Sequence, residues 1–351
     1  MRYLLDNGAY TIKLGTDSCE PQLYNNCIAS CKREVLIAPS SLVGVSEVLR
    51  PIDRGVLVDP ELQLKLWKSI LPTNNIDCLI YTCPLYSPPT SRKLMDELIF
   101  EDLSLPEALR VPSGPRSTCL ILDLGFSSST VIPYNEGKPI VSAIKRVTVG
   151  GKLMTNFMKE QISYRYFDMT EETWLVNIIR EQMCYVSSNF LCELRKIQTK
   201  KICESAYVLP EHGDIGFPLF KPEDAEGKQV LNMSNLTITV PELLFNPSDS
   251  GIECAGIHEA IMQSVMSLPE ELRKIMLENI VLVGGVALTK GILPRLQQEV
   301  QENSPFPVSI RVSENPVWDN WETLKNVKES LTKKDYEEMG SEYIDSIYQY
   351  S

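Results

Sequence analysis

The chain has 351 residues, 43% of them apolar and 23% charged, enough for two domains with substantial cores and ordinary for a soluble globular protein. Its 46 acidic residues outnumber its 34 basic ones, and the formal charge of -12 disfavours direct wrapping on DNA, so any contact with nucleic acid would need a local basic patch or a basic partner. Ten cysteines are scattered without a Cys-x-x-Cys pair, and only Cys27 and Cys31 fall close together, with no histidine nearby, which favours free thiols in a reducing compartment over zinc or disulfides.

In chain order, Tyr3-Leu4-Leu5-Asp6-Asn7-Gly8 reads as an apolar strand with no basic leader before it, and Tyr10-Thr11-Ile12-Lys13-Leu14 as its return. No apolar run approaches the ~18 residues of a membrane span, so neither a secretory signal nor a membrane partner is expected. Residues 16–34 match no clear pattern. Asp59 caps a predicted helix with Pro60 at its first position and Leu62, Leu66, Trp67 and Ile70 on one face. Leu120-Ile121-Leu122-Asp123-Leu124-Gly125, followed by Ser129-Thr130-Val131-Ile132, repeats the opening strand–turn–strand pattern, which points to an internally duplicated α/β protein.

Further helices are predicted after Gly150-Gly151, through Leu153, Met154, Phe157, Met158 and Ile162, and through Leu175, Ile178, Ile179, Met183 and Val186. The stretch from Gly213 to Leu231, with Pro218 and Pro222, reads as a surface excursion. Ile257, Ile261, Val265 and Leu268 form another stripe. A strand from Asn279 to Val283 runs into Gly284-Gly285 and then a helix with Ile292, Leu293, Leu296 and Val300 inward. The Met and aromatic residues on these stripes are expected in the core.

The two Asp-x-Gly turns suit phosphate, because consecutive backbone amides form a concave anion site and glycine permits close approach. Asp6 and Asp123, at the strand ends, would hold the water shell of a magnesium ion. Gly284-Gly285 supplies a third close turn, suited to a flat adenosine. The competing reading is three ordinary strand–turn junctions. His258 and His212 are the only histidines, so no Ser/His/Asp or Cys/His constellation is expected; His258 is expected to be a structural hydrogen-bonder and His212 a loop residue.

Asp6-Asn7-Gly8, Asp123-x-Gly125 and Val283-Gly284-Gly285 resemble the two phosphate loops and the adenosine loop of the actin family, in that order. Ala255-Gly256-Ile257-His258-Glu259 and Met183-Cys184-Tyr185-Val186 are similar to further actin-family blocks. Val149-Gly150-Gly151-Lys152-Leu153-Met154-Thr155-Asn156, Ile162-Ser163-Tyr164-Arg165, the run from Val240 to Asp249, Glu314-Asn315-Pro316 and Thr332 to Gly340 resemble nuclear actin-related members. The likeness spans nearly the whole chain and is weakest over 16–50 and 190–235.

The resemblance implies an actin-like fold: two duplicated α/β domains around a central nucleotide cleft. It places 1–122 with 316–351 in a first lobe, with a small outer insertion near 16–50. It places 123–315 in a second lobe, with its outer part near 150–240. It implies ATP or ADP with magnesium, Asp6 and Asp123 near the metal, and Lys13 at the phosphates. Gly8, Ala9, Tyr10, Gly125, Ser127 and Gly151 would line the loops, Arg180 and Glu181 the adenine and ribose side, and Gly284 and Gly285 the adenosine.

Departures from conventional actins are specific. Gly8-Ala9-Tyr10 replaces Gly-Ser-Gly and is expected to put a ring where backbone should approach phosphate. Phe126-Ser127-Ser128 lacks the second aspartate, Thr130 stands for the water-ordering histidine, and Val317 for the adenine-side lysine. No glutamine lies between Ser104 and Cys119. Removing one such polar group typically costs on the order of 10²–10⁴ in rate.

The resemblance therefore implies a non-catalytic structural subunit of a nuclear remodelling complex that exchanges a variant histone, with a structural nucleotide or none. Its implied partners are a motor ATPase subunit, a zinc-finger HIT-type subunit, other subunits of the complex and the nucleosome, with the nucleus, or nucleus and cytoplasm, as location. Leu23, Tyr24, Leu36 and Ile37 are candidate contact residues; the other reading of their segment is a poorly packed surface loop. The short segment 17–49 disfavours filaments. A weakly active actin-like ATPase and a polymerising cytoskeletal actin-related protein are the alternatives.

Overall fold

Apolar residues at consecutive positions, buried on both faces, build the central strands of each sheet. The structure is a computed structural model describing residues 1–31, 34–39, 42, 45, 47–72, 76–112, 114, 117–200, 205–210, 216–219 and 227–348. Cys203, His212 and Pro222 lie outside the described residues.

The chain opens with β1 (Arg2–Asn7), β2 (Thr11–Thr16), β3 (Cys19–Asn25), β4 (Ile28–Cys31), β5 (Glu34–Ile37), β6 (Glu47–Leu49), β7 (Ile52–Asp53) and β8 (Val56–Leu57). Then come α1 (Pro60–Ile70), β9 (Cys78–Cys83), α2 (Pro89–Glu97), β10 (Glu107–Pro112), β11 (Cys119–Leu124), β12 (Ser129–Asn135), β13 (Lys138–Pro139) and β14 (Lys145–Val147). The middle of the chain holds α3 (Gly151–Arg165), α4 (Thr173–Met183), α5 (Phe190–Lys200), β15 (Ala206–Val208), β16 (Phe217–Leu219), β17 (Val230–Asn232) and α6 (Leu236–Glu242). It continues through α7 (Ile257–Met266), α8 (Glu270–Leu277), β18 (Ile280–Val283), α9 (Ile292–Glu302) and β19 (Ile310–Val312). The last elements are α10 (Asp319–Leu324), β20 (Leu331–Thr332), α11 (Lys333–Met339) and α12 (Ser341–Tyr348).

The first large sheet has the order β20-β10-β9-β1-β2-β3 and the second β13-β12-β11-β18-β19, with β14 beside β12. Read from one edge, β3-β2-β1-β9-β10 and β13-β12-β11-β18-β19 are the same arrangement: three successive strands in reverse, then two later ones. The internal repeat expected from the paired Asp-x-Gly turns is thus a repeat of sheet topology. Contacts divide the chain into one compact unit of Met1–Ile121, Ile132–Ile144 and Ser313–Ser351, and another of Leu122–Val131 and Lys145–Val312.

Local signals worked where both cap and stripe were present. The Asp59 side chain accepts from the Leu62 amide at 2.9 Å, Pro60 takes the first turn, and Leu66 and Trp67 are fully buried beneath α1. Met154, Met158 and Met183 are core residues, as their spacing indicated.

Three expectations need correction. The α4 helix stops at Met183 and does not reach Val186: Cys184 is extended, and the Tyr185 and Val186 amides bond instead to the Thr237 and Lys290 carbonyls. The unassigned stretch 16–34 contains the whole of β3 and β4, whose register with β2 and β5 supplies the order that local sequence lacks. Within 213–231, Phe217–Leu219 pairs with β15, as do Val230 and Leu231, so the excursion carries strands, while 227–229 is exposed turn. Among the described residues no helix is long and apolar enough to cross a membrane.

Buried charge fastens the C-terminus to the first unit. Arg110 and Asp96 have fully buried side chains and pair at 3.0 Å. Tyr81 and Ser341 also donate to Asp96, and Arg110 reaches Asp345 of α12 at 2.6 Å. Arg92 of α2 grips the same carboxylate at 2.7 Å. Asp96→Ala leaves the buried guanidinium with Asp345 as its remaining carboxylate and should cost up to about 3–5 kcal/mol, read as a lower urea midpoint.

Burial acts to raise the Asp345 carboxyl, but bonds from Arg92 and Arg110 outweigh it and hold the group below its usual value. A depressed carboxylate contributes stability that is complete above the unfolded value, ~4, and is lost as pH falls through the lower folded value. Acidification below about pH 4 should therefore raise amide exchange in α12 first. In Asp345→Asn that acid dependence should be absent.

Candidate functional site

In the first unit the site is one hairpin. Asp6 and Lys13 are register partners across β1 and β2, so their side chains emerge on one face. Lys13 Nζ lies 2.5 Å from Asp6 Oδ2, and both residues are buried. Thr82 Oγ1 donates to the other carboxylate oxygen at 2.8 Å and accepts from the Asn7 amide at 3.0 Å. The carboxylate expected near a metal and the ammonium expected near phosphate therefore neutralise each other.

A second buried polar layer lies beneath the turn. Asn7 Nδ2 donates to Gln63 Oε1 at 3.3 Å, and Trp67 Nε1 donates to Asn7 Oδ1 at 3.3 Å. Gln63 Nε2 donates to Asn26 Oδ1, and Asn26 Nδ2 donates to the Gly8 carbonyl at 2.9 Å. The Arg50 guanidinium donates to the Tyr10 and Asn26 carbonyls at 2.8 and 3.2 Å and lies 4.5 Å over the Tyr10 ring. The Tyr10 ring is stowed against the Arg50 guanidinium.

Sequence reasoning missed Thr82, Gln63, Asn26 and Arg50. All but Gln63 lie outside any helical stripe. Gln63 carried the one available signal, a polar residue on the apolar face of α1, next to Leu62, Leu66 and Trp67.

In the second unit, Asp123 and four glycines meet around the turn after β11. The Gly125 amide donates to the Ser128 carbonyl at 3.1 Å, closing the turn. The Gly151 and Lys152 amides donate to the Gly125 and Phe126 carbonyls at 3.1 and 2.8 Å, so the turn itself caps α3. Gly151 is adjacent to the site, with its amide committed to that cap. Gly150 packs so closely that a Cβ there would lie 2.6 Å from the Ser128 nitrogen. Ser127 is half-buried at the apex.

Gly284 has φ 89° and ψ 161°, a conformation open essentially to glycine alone. A Cβ on it would lie 2.4 Å from the Leu124 carbonyl oxygen and 2.8 Å from Asp123 Oδ1. Among the described residues nothing comes within 4 Å of a Cβ on Gly285. One glycine is pressed against the Asp123 turn and the next presents an open backbone face. That combination fits a flat ring laid on the chain beside a carboxylate, the shape an adenine nucleotide would require.

Arg180 and Glu181 are placed differently. Arg180 donates to Thr155 Oγ1, Asn177 Oδ1 and Glu181 Oε1, each at 3.1 Å, and ties α4 to α3. The Glu181 side chain is half exposed. The second turn's hydroxyls are also used internally: Ser129 Oγ donates to the Val149 carbonyl at 2.8 Å, and Ser128 Oγ accepts from Arg146 at 3.3 Å.

His258 stacks on Phe245 at 6.0 Å between centroids. Its Nδ1 is buried with no hydrogen-bond partner among the described residues, and burial pushes its pKa down. Burial raises the Cys83 thiol to about 11 and Cys184 to about 12, which makes both poor nucleophiles.

A sequence model of the actin family, described as Actin, matches residues 2–348. The chain is 31% identical to actin-related protein 6 of Drosophila melanogaster, over 97% of this chain and 98% of that one. It is 32% identical to actin-related protein 6 of Neurospora crassa, over 97% and 92%. The protein of the same name in Arabidopsis thaliana is 30% identical over 96% and 97%.

The two adjacent glycines give opposite expectations. Gly284→Ala should destabilise the fold by at least ~1–3 kcal/mol from backbone strain, with the Leu124 clash in addition. Gly285→Ala should leave the thermal midpoint within about a degree of the parent, consistent with a near-neutral surface change. Scanning calorimetry of both variants checks the contrast.

Proposed function

The chain belongs to the actin family, with an actin-like fold, and from that membership we propose that it is a non-catalytic structural subunit of a nuclear chromatin-remodelling complex of the variant-histone-exchange type. The whole-length similarity to actin-related protein 6 supports placing it among actin-related proteins rather than filament-forming actins. Its proposed partners are the motor ATPase, a zinc-finger HIT-type subunit and the remaining subunits of such a complex, with the nucleosome as the assembly's target. Leu23 and Ile37, both partly exposed, are proposed contact residues on the outer strands; Tyr24 packs against two core clusters and serves the fold.

ATP or ADP with magnesium is proposed as an architectural ligand. Asp123, Gly125, Ser127, Gly284 and Gly285 would hold it in the second unit, and Asp6, Gly8, Ala9, Tyr10 and Lys13 in the first. Gly151 would serve by supporting the second turn, and Arg180 and Glu181 by fixing α4. When bound, the nucleotide supplies phosphate charge for the amides and a hydrated cation for the carboxylates. A ligand held only by the folded chain would stabilise it by mass action. Lobe boundaries at 122/123 and 315/316 belong to the same proposal.

The observation that carries the non-catalytic reading is the state of the second turn. Ser128, Ser129 and Thr130 are buried, and the first two have their hydroxyls bonded within the unit. Transfer of a phosphoryl group to water relies on positioned polar groups that order the attacking water. This turn has no carboxylate or imidazole between Phe126 and Thr130 to do so.

Purification of the tagged full chain from nuclei should recover a large ATPase in stoichiometric amount, while the isolated chain releases phosphate no faster than buffer. Recovery of the chain alone, or brisk phosphate release, would sink the proposal. Pelleting of the chain as filaments in salt and magnesium would favour the cytoskeletal alternative.

A further inference from the structure

The Gly8-Ala9-Tyr10 turn has its carbonyls drawn to one side. Gly8 oxygen accepts from Asn26 Nδ2 at 2.9 Å, and Tyr10 oxygen accepts from the Asn26 amide at 2.9 Å and from Arg50 at 2.8 Å. Ala9 oxygen lies 3.5 Å from the same Arg50 nitrogen. That nitrogen also holds the Asn26 carbonyl, so Asn26 and Arg50 form one bonded group facing the turn.

A trans peptide is planar, with its N–H opposite its C=O. Each carbonyl pulled toward Asn26 and Arg50 therefore turns the following amide the other way. The Ala9 and Tyr10 amides both point to the face away from the guanidinium. Successive amides turned to one face make a concave site for an anion. The Tyr10 ring lies against the same guanidinium that holds these carbonyls.

We infer that Arg50 is the positioning residue that keeps this tyrosine-bearing turn able to grip a phosphate, by holding its carbonyls and its ring on one side. The inference rests on the nucleotide reading above and adds a residue that no glycine-loop pattern contains. Asn26 is the second half of the device, itself braced by Gln63 of α1. Because Arg50 follows β6 directly and Asn26 lies between β3 and β4, the state of the outer strands is coupled to the turn through these two residues.

The test compares ligands with and without phosphate on the full-length chain. Calorimetric titration with MgADP and with adenosine would be run on wild type, Arg50→Met and Arg50→Lys. Arg50→Met should weaken MgADP by about tenfold, the size of one charge-assisted bond, and leave adenosine unchanged. Arg50→Lys keeps the charge without the fork and should fall between; it also carries the comparison if the methionine variant does not fold.

Equal loss of both ligands would show a merely structural role and overturn the inference, as would unchanged MgADP binding in both variants. Wild type binding neither ligand would instead remove the nucleotide reading, and the inference with it.

Discussion

Asp6 and Lys13 meet across β1 and β2 almost without access to water, and neither charge could stay there without the other. Desolvating a lone carboxylate or ammonium costs several kcal/mol even after relaxation, so the pair must form as the hairpin closes. Its geometry then propagates. Thr82 has to sit at the end of β9 to complete the carboxylate's bonds, which sets β9 beside β1 in parallel. Asn7, one residue on, needs Gln63 and Trp67, which places α1 under the turn. A parallel strand, a helix and an outer segment are thus positioned by polar groups that have to be satisfied.

The second unit solves a similar problem mainly with backbone. Its turn is closed by Gly125 and Ser128, and it offers its remaining carbonyls to the first amides of α3. Glycines at 150 and 284 let chain pass against chain where any side chain would collide. The first unit is held by side-chain chemistry and the second by close approach, although the sheets share one strand order. Duplicated topology therefore does not require duplicated chemistry: strand order follows from hydrophobic pattern and turn position, whereas the means of closing each turn is left to local residues.

Features written in consecutive residues were the legible ones. The Asp-x-Gly turns, the Asp59–Pro60 helix start and the buried stripes of α3, α7 and α9 each need a window of about a dozen residues or fewer. So the strand–turn frame of the site, with Asp6, Asp123, Gly125 and Gly284, could be read directly. Arg50, Asn26 and Thr82 could not, because their partners are 16 to 76 residues away and their own neighbourhoods carry no period. The same holds for Arg110, Asp96 and Asp345, joined across 235 residues. Tyr10 shows the opposite failure. Its identity was correctly noted as unusual, but its direction depended on a guanidinium forty positions later.

That last case bears on how departures from a family pattern should be weighed. A bulky residue in a phosphate turn excludes the ligand only if its side chain lies on the amide face, and side-chain direction follows from what the carbonyl face offers. Here a guanidinium supplies both a donor for the carbonyls and a flat surface for the ring. The absence of a polar group from the second turn is different in kind: no imidazole or carboxylate stands in sequence between Phe126 and Thr130. A binding turn can be rebuilt from outside by orienting backbone that every residue possesses. A water-ordering group consists of particular side-chain atoms, and its absence from the turn is not repaired by orientation. One actin-like frame can therefore have its first turn oriented by residues far along the chain, while what its second turn offers is fixed by the side chains written within it.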